Sequence, residues 1–330
     1  MTLLLSAADV RRLLPMNEAI EAMADAFRAL SEGDARLPLR TIVWTPDRRG
    51  GLGVMPGFLP AGLGAKVVSF FPGNHGTELD SHQGVVLLFE AERGRLLAVA
   101  DATAITAIRT AAVSGLATRL LAREDAGDLA IFGSGTQART HLAAMLAVRR
   151  IRRVRVWSRS AENARAFAAR EAQRHGIAIE TSNSAEEAAR GADLLCTVTS
   201  STDPFLRGEW LAPGAHVNAA GSSVASAREL DAAAVARASL FVDRRESTLN
   251  ESGDFLFAKK EGAVAEDHIL GEIGDVLTGK TRGRRSADEI TLFKSLGLAI
   301  EDVAAAEHVR RRAEETGAGI AFDFGGLREP

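Results

Sequence analysis

The chain has 330 residues, 46% hydrophobic and 25% charged, which predicts a soluble globular protein with more than one core. A net charge of −3 gives no case for nucleic acid, no stretch is long and apolar enough to span a membrane, and no signal peptide is visible at the start. A single cysteine, Cys196, excludes an intramolecular disulfide framework and suits a reducing cytoplasm, and the absence of tyrosine excludes any mechanism that needs a phenolic acid or base.

Residues 7–32 read as two helices broken at Leu13-Leu-Pro-Met16. Asn17 is the candidate N-cap of the second, with Ile20, Met23 and Phe27 on its apolar face. Between 37 and 100 the pattern changes to short apolar or alternating runs (Arg40–Thr45, Gly51–Pro56, Ala65–Phe71, Gly84–Glu90, Leu96–Asp101), a meandering sheet. Asp47-Arg-Arg-Gly50 and Ala91-Glu-Arg-Gly94 read as hairpin loops, and a helix follows from about Thr103 to Leu121. From Ala126 the rhythm is βαβ. Strands Leu129–Phe132, Val154–Trp157, Ile177–Glu180, Asp193–Thr197, His216–Ala220 and Leu240–Val242 alternate with helices Thr136–Val148, Ala161–His175 and Ala185–Arg190. The Arg-rich run Arg149, Arg150, Arg152, Arg153, Arg155 reads as a solvated helix-to-strand turn, and Cys196 as a buried, inert thiol. The last helix, Ile300–Thr316, is expected to return to the first domain. The expected class is therefore α/β. A Rossmann-type doubly wound parallel sheet occupies 119–302, and an α+β domain is assembled from 1–118 and 303–330.

The strand Leu129–Phe132 runs directly into Gly133-Ser-Gly-Thr-Gln-Ala138, which fits G-x-G-x-x-A at the start of a helix. Gly133 permits the tight turn, Gly135 lets the backbone approach a pyrophosphate, and Ala138 keeps helix and strand close; Thr136 and Gln137 open the helix whose N-terminus faces the phosphates. The next strand ends in Ser158-Arg-Ser160 with Asn163 just beyond, and carries no carboxylate for a ribose 2′-hydroxyl. Hydroxyls beside a guanidinium suit a 2′-phosphate, so NADP(H) is preferred and NAD(H) remains possible. The alternative is a plain polar turn with Arg159 in solvent. Upstream, Lys66 lies on an apolar strand, Arg109 lies in a small-residue helix with no acid at i±3 or i±4, and Arg40 opens a strand. Each alone fits an ordinary salt bridge. Together they suggest a substrate that bears a carboxylate.

Several segments resemble the ornithine cyclodeaminase/μ-crystallin family: Val54-Met-Pro56, Lys66-Val-Val-Ser69, Ser81-His-Gln83, Arg109-Thr-Ala-Ala-Val-Ser114 and the glycine-rich turn. So do Asn218-Ala-Ala-Gly221, Arg228-Glu-Leu-Asp231, Glu251-Ser-Gly-Asp254 and Phe293-Lys-Ser-Leu-Gly297. The resemblance implies a homodimer whose discontinuous domain binds substrate and dimerises. It implies that Arg40, Lys66 and Arg109 hold a substrate carboxylate, with Met55 nearby. Ser81, His82, Arg109, Thr110, Thr199, Ser200, Ala220 and Ser295 would line the cofactor, and no metal is expected. The cyclodeaminase pattern has acids where this chain has Gly53 and Ser223. A diamine would leave an ammonium without a partner there, whereas a cyclic imine carries none. The expected reaction is therefore NADPH-dependent reduction of Δ1-pyrroline-2-carboxylate or Δ1-piperideine-2-carboxylate, with Lys66, or a water on Ser223, handling the proton and His82 the other candidate acid. Alternatives are an ornithine or lysine cyclodeaminase, an amino-acid dehydrogenase, and a binding protein that keeps NADP without turnover.

Overall fold

Thr2–Leu5, a segment not anticipated as structured, forms the first strand, β1, in a computed structural model that describes residues 1–74 and 77–325. Helix α1 (Ala7–Leu13) follows, closed by a capping box in which Ser6 and Asp9 satisfy each other's backbone N–H groups. Helix α2 (Met16–Glu32) starts one residue after Pro15, which is its N-cap. Asn17 therefore lies inside the first turn and caps nothing, a correction to the expectation. Then come β2 (Thr41–Trp44), β3 (Gly51–Leu59), β4 (Gly62–Phe70), β5 (His82–Phe89), β6 (Leu96–Asp101) and helix α3 (Ala102–Leu121).

The βαβ region holds β7 (Asp128–Phe132), α4 (Thr136–Val148), β8 (Arg153–Trp157), α5 (Ala161–His175), β9 (Glu180–Thr181), α6 (Ala185–Ala189), β10 (Leu194–Thr197) and β11 (His216–Ala219). It continues with α7 (Ala232–Arg237), β12 (Ser239–Val242), α8 (Arg245–Glu251), α9 (Gly253–Lys260), β13 (Ile269–Glu272), α10 (Ile273–Leu277) and β14 (Thr291–Lys294). Helix α11 (Ala299–Thr316) and β15 (Ile320–Phe322) close the described chain. Among the described residues no helix is long and apolar enough to cross a membrane.

The chain divides into two compact units, Met1–Arg109 with Leu298–Pro330, and Thr110–Gly297. The first break thus falls inside α3, ahead of the expected 118/119. The second falls before α11, ahead of the expected 302/303. The final five residues of the expected return segment lie outside the described residues.

In the first unit the strand order is β15-β1-β6-β5-β4-β3-β2, antiparallel except where β1 runs parallel to β6. Alternation puts Gly53, Met55, Gly57, Gly64 and Lys66 on the face covered by α11. The glycines let that helix approach: a Cβ on Gly64 would stand 2.6 Å from the Leu87 carbonyl and 3.0 Å from the Val303 side chain. Strand β3 continues past Pro56, where the sequence suggested an end. Pairing with β2 stops at Val54, so the missing proline N–H costs no ladder bond.

The second unit carries a parallel sheet in the order β13-β12-β14-β11-β10-β7-β8-β9. This is the expected doubly wound arrangement, and the order reverses between β7 and β10. The Arg-rich run is not simply solvated. Arg149 donates to the carbonyls of Thr118, Ala122 and Arg123, and the buried Arg155 donates to those of Glu187 and Arg190, so both satisfy helix C-termini. Cys196 is buried on β10, and burial pushes its thiol up to about 12, so it stays an unreactive thiol.

Candidate active site

Lys66 sits opposite Met55 across the β3–β4 ladder, and both are buried. Its Nζ lies 3.0 and 3.2 Å from the two carboxylate oxygens of Asp302 and 3.4 Å from the Thr106 hydroxyl. Arg109 donates through Nε to Asp302 at 3.0 Å and through Nη1 to Glu301 at 2.6 Å. All four charged side chains are almost wholly buried. The salt-bridge expectation therefore holds for Lys66 and Arg109, with partners that no local spacing could reveal. Glu301 and Asp302 were missed because acids in the first turn of a helix suit its dipole and read as routine. The two acids balance the two cations, and Arg40, half-buried just ahead of β2, adds a further positive charge that reaches Lys66.

Burial and the neighbouring Arg109 lower the Lys66 ammonium from 10.5 to about 8, with Asp302 opposing them. For Arg109 the two carboxylates outweigh burial and hold the guanidinium charged. Gly53 lies on the same face as Met55 and Lys66, two residues along β3. An added Cβ there would meet the Val68 side chain at 3.6 Å and its carbonyl oxygen at 3.8 Å, both ordinary contacts, so the missing acid is not excluded by crowding.

In the second unit Gly133 follows β7 with φ 120°, and a Cβ there would stand 2.8 Å from the Val198 carbonyl, so only glycine serves. A Cβ on Gly135, the N-cap of α4, would meet open space, and no side chain caps that helix. Backbone N–H groups at Thr136 and Gln137 are thus presented to an incoming anion. Gln137 Oε1 and Ser295 Oγ are buried without a hydrogen-bond partner among the described residues. An open cradle and orphaned buried polar atoms fit a dinucleotide. The Ser158 hydroxyl accepts from Ser134 at 3.2 Å, Arg159 is exposed, and Ser160 caps α5 by accepting from the Asn163 N–H. Ser160 keeps its own proton to donate.

Ser81 and His82 lie at the start of β5 in the first unit, with the Ser81 hydroxyl 3.0 Å from His82 Nδ1. Thr110 is buried on α3, Thr199 and Ser200 follow β10, and Ala220 and the half-buried Ser223 follow β11. A groove of about 690 Å³ on the first unit, lined by Glu18, Glu21, Asp25, Glu307 and His308, shares no residue with the Lys66 cluster.

The profile of the ornithine cyclodeaminase/mu-crystallin family matches residues 1–317. Ketimine reductase mu-crystallin of Mus musculus is 41% identical over 292 residues, 88% of this chain and 89% of its own. A Thermococcus litoralis Δ1-pyrroline-2-carboxylate reductase, solved in complex with NADH and L-proline, superposes with a TM-score of 0.94 at 41% identity, covering 97% of this chain and all of that one (100%). An archaeal alanine dehydrogenase dimer with bound NAD superposes with a TM-score of 0.93 at 34% identity, covering 98% and 99%. With a family match along nearly its whole length, and relatives of this identity and coverage, the chain belongs to the ornithine cyclodeaminase/mu-crystallin family.

Proposed function

We propose that this protein reduces a cyclic ketimine carboxylate, Δ1-pyrroline-2-carboxylate or Δ1-piperideine-2-carboxylate, to proline or pipecolate, with NADPH as the preferred reductant. At the coarser level it is an oxidoreductase of C=N bonds that uses a pyridine nucleotide, as its reductase relatives are. The observation that carries the finer reading is that buried Lys66 on β4 and buried Arg109 on α3 share Asp302, beside a sheet face whose nearby position 53 is glycine rather than an acid.

Held at Gly133, Gly135, the start of α4 and Ser295, a dihydronicotinamide cofactor would supply a hydride for the imine carbon. Everything else falls to this chain. Arg109 spends Nε and Nη1 on Glu301 and Asp302, leaving the two Nη2 protons for a substrate carboxylate. Lys66 and Arg40 add positive charge on the same side, so one monoanionic carboxylate is attracted and oriented. The imine nitrogen gains a proton as its carbon gains the hydride. An ammonium near 8 is matched to that donation at neutral pH, and Lys66 is the group that holds the proton. With no acid at 53 or 223, nothing at these positions pairs with the second ammonium of ornithine. The exposed Arg159, between two serines and with no carboxylate at the end of β8, supports a 2′-phosphate.

The same reading expects a homodimer. Val43, Leu52, Leu63 and Val85 share the outer face of the first sheet by register and are all exposed, Val43 at 65%.

The test follows NADPH absorbance with each cyclic imine. Oxidation dependent on the imine is expected. Turnover of alanine or ornithine with neither imine reduced would overturn the proposal.

A further inference from the structure

Three charged side chains that this chemistry leaves unused, Glu229, Asp254 and Lys294, meet in one buried cluster of the second unit. Glu229, from Arg228-Glu-Leu-Asp231, is wholly buried. Its Oε1 accepts from the backbone N–H and the hydroxyl of Thr199, at 2.6 and 2.7 Å, and its Oε2 accepts from the Gly221 N–H at 3.0 Å. Asp254, from Glu251-Ser-Gly-Asp254, accepts from the N–H groups of Glu229 and Leu230 with one oxygen, and from Lys294 with the other at 2.7 Å. Lys294, from Phe293-Lys-Ser-Leu-Gly297, also donates to the Ser222 carbonyl. A single chain of bonds thus runs from the Thr199 loop through Glu229, Asp254 and Lys294 to the Gly221–Ser222 loop.

Those two loops are where the backbone leaves β10 and β11, and β10 adjoins β7 where the strand order reverses. In doubly wound sheets the ligand crevice opens beyond the carboxyl ends of the strands at that point. The Thr199 hydroxyl, while donating to Glu229, accepts from the Ser201 N–H at 3.1 Å, so one carboxylate also shapes the turn at 199–201. A Cβ on Gly221 would collide with the Glu229 carboxylate and the Thr199 backbone, so glycine is needed there for both loops to reach the same carboxylate. A buried carboxylate is costly, and a neutral group could tie two loops together at less cost. Only a carboxylate, however, offers two acceptor oxygens and no donor, which these three bonds require. Burial raises the Glu229 carboxyl and Asp254 adds to this, while the Thr199 bonds and Lys294 favour its charged form.

We propose that Glu229 is a positioning residue that locks the Thr199 and Gly221 loops into the wall against which the dinucleotide lies. The inference rests on the nucleotide reading above. Glu229→Gln keeps the shape but turns one acceptor into a donor. Thr199→Val removes the matching hydroxyl. The assay is NADPH binding by nicotinamide fluorescence, with thermal unfolding in the absence of nucleotide and separate KM values for NADPH and imine. Losing one such bond in a buried site should weaken NADPH binding about tenfold in either variant. The imine KM should be unchanged, and the double variant no worse than the weaker single one. Unchanged NADPH binding in a folded Glu229→Gln protein, or in Thr199→Val where the glutamine variant does not fold, overturns the inference. Equal weakening of the imine KM would also overturn it, as a general loosening of structure. Wild-type protein that binds neither NADPH nor NADH would instead remove the functional reading on which the inference stands.

Discussion

At pH 7 a lysine held near 8 is still mostly protonated, as the proposed acid has to be. If its ammonium is the acid, kcat is flat below pH 8 and falls as pH rises through that value, whereas an unperturbed lysine would hold its proton to about 10.5. The stability term has the opposite sign. Between 8 and 10.5 the unfolded chain binds the proton that folded Lys66 has lost, so this residue's contribution to stability rises with pH while activity falls. Lys66→Met should lower kcat by about 10²–10⁴-fold and abolish the alkaline limb of the pH profile, which steady-state kinetics from pH 6 to 10 will show. Arg109→Ala should cost about 3–5 kcal/mol of stability in denaturant titration, because it leaves Glu301 buried without its cation, and should also raise the imine KM. Arg159→Ala should weaken NADPH about tenfold or more and leave NADH nearly unchanged, since only one of the two carries the phosphate. Equal losses for both nucleotides would show that the arginine does not face a 2′-phosphate.

Among the elements, local patterns were the most legible. The glycine-rich turn, the helix after it and the end of β8 are each set by neighbours within a few residues, and the structure places them where the sequence did. Strand β1 was not legible because its four residues become a strand only by pairing with β6 and β15, from distant parts of the chain. Lys66 and Arg109 stood out as charges in apolar surroundings. Their partners did not, because Glu301 and Asp302 lie 192 and 193 positions from Arg109. The glycines under α11 spoke for close approach only once that helix was in place. Gly64→Val should destabilise the fold by about 1–3 kcal/mol in thermal or denaturant unfolding, since the added carbons meet a backbone carbonyl that cannot move aside.

For the whole molecule, a first unit that extends to Arg109 accounts for a glycine-rich turn that begins at Gly133 rather than near the start of the chain. The apolar outer face of the first sheet argues for assembly. Paired substitutions Val43→Glu and Leu52→Glu should convert a dimer to monomer in sedimentation experiments, and a wild-type monomer at micromolar concentration would contradict the homodimer. The central claim concerns the reaction. Purified protein should be given NADPH with Δ1-pyrroline-2-carboxylate, and in parallel NAD⁺ with ornithine, while nucleotide absorbance, proline and ammonia are followed together. One NADPH consumed for each proline formed, with no ammonia from ornithine, is the predicted result. Ammonia release from ornithine without net nucleotide reduction, and no imine-dependent loss of NADPH, would contradict it.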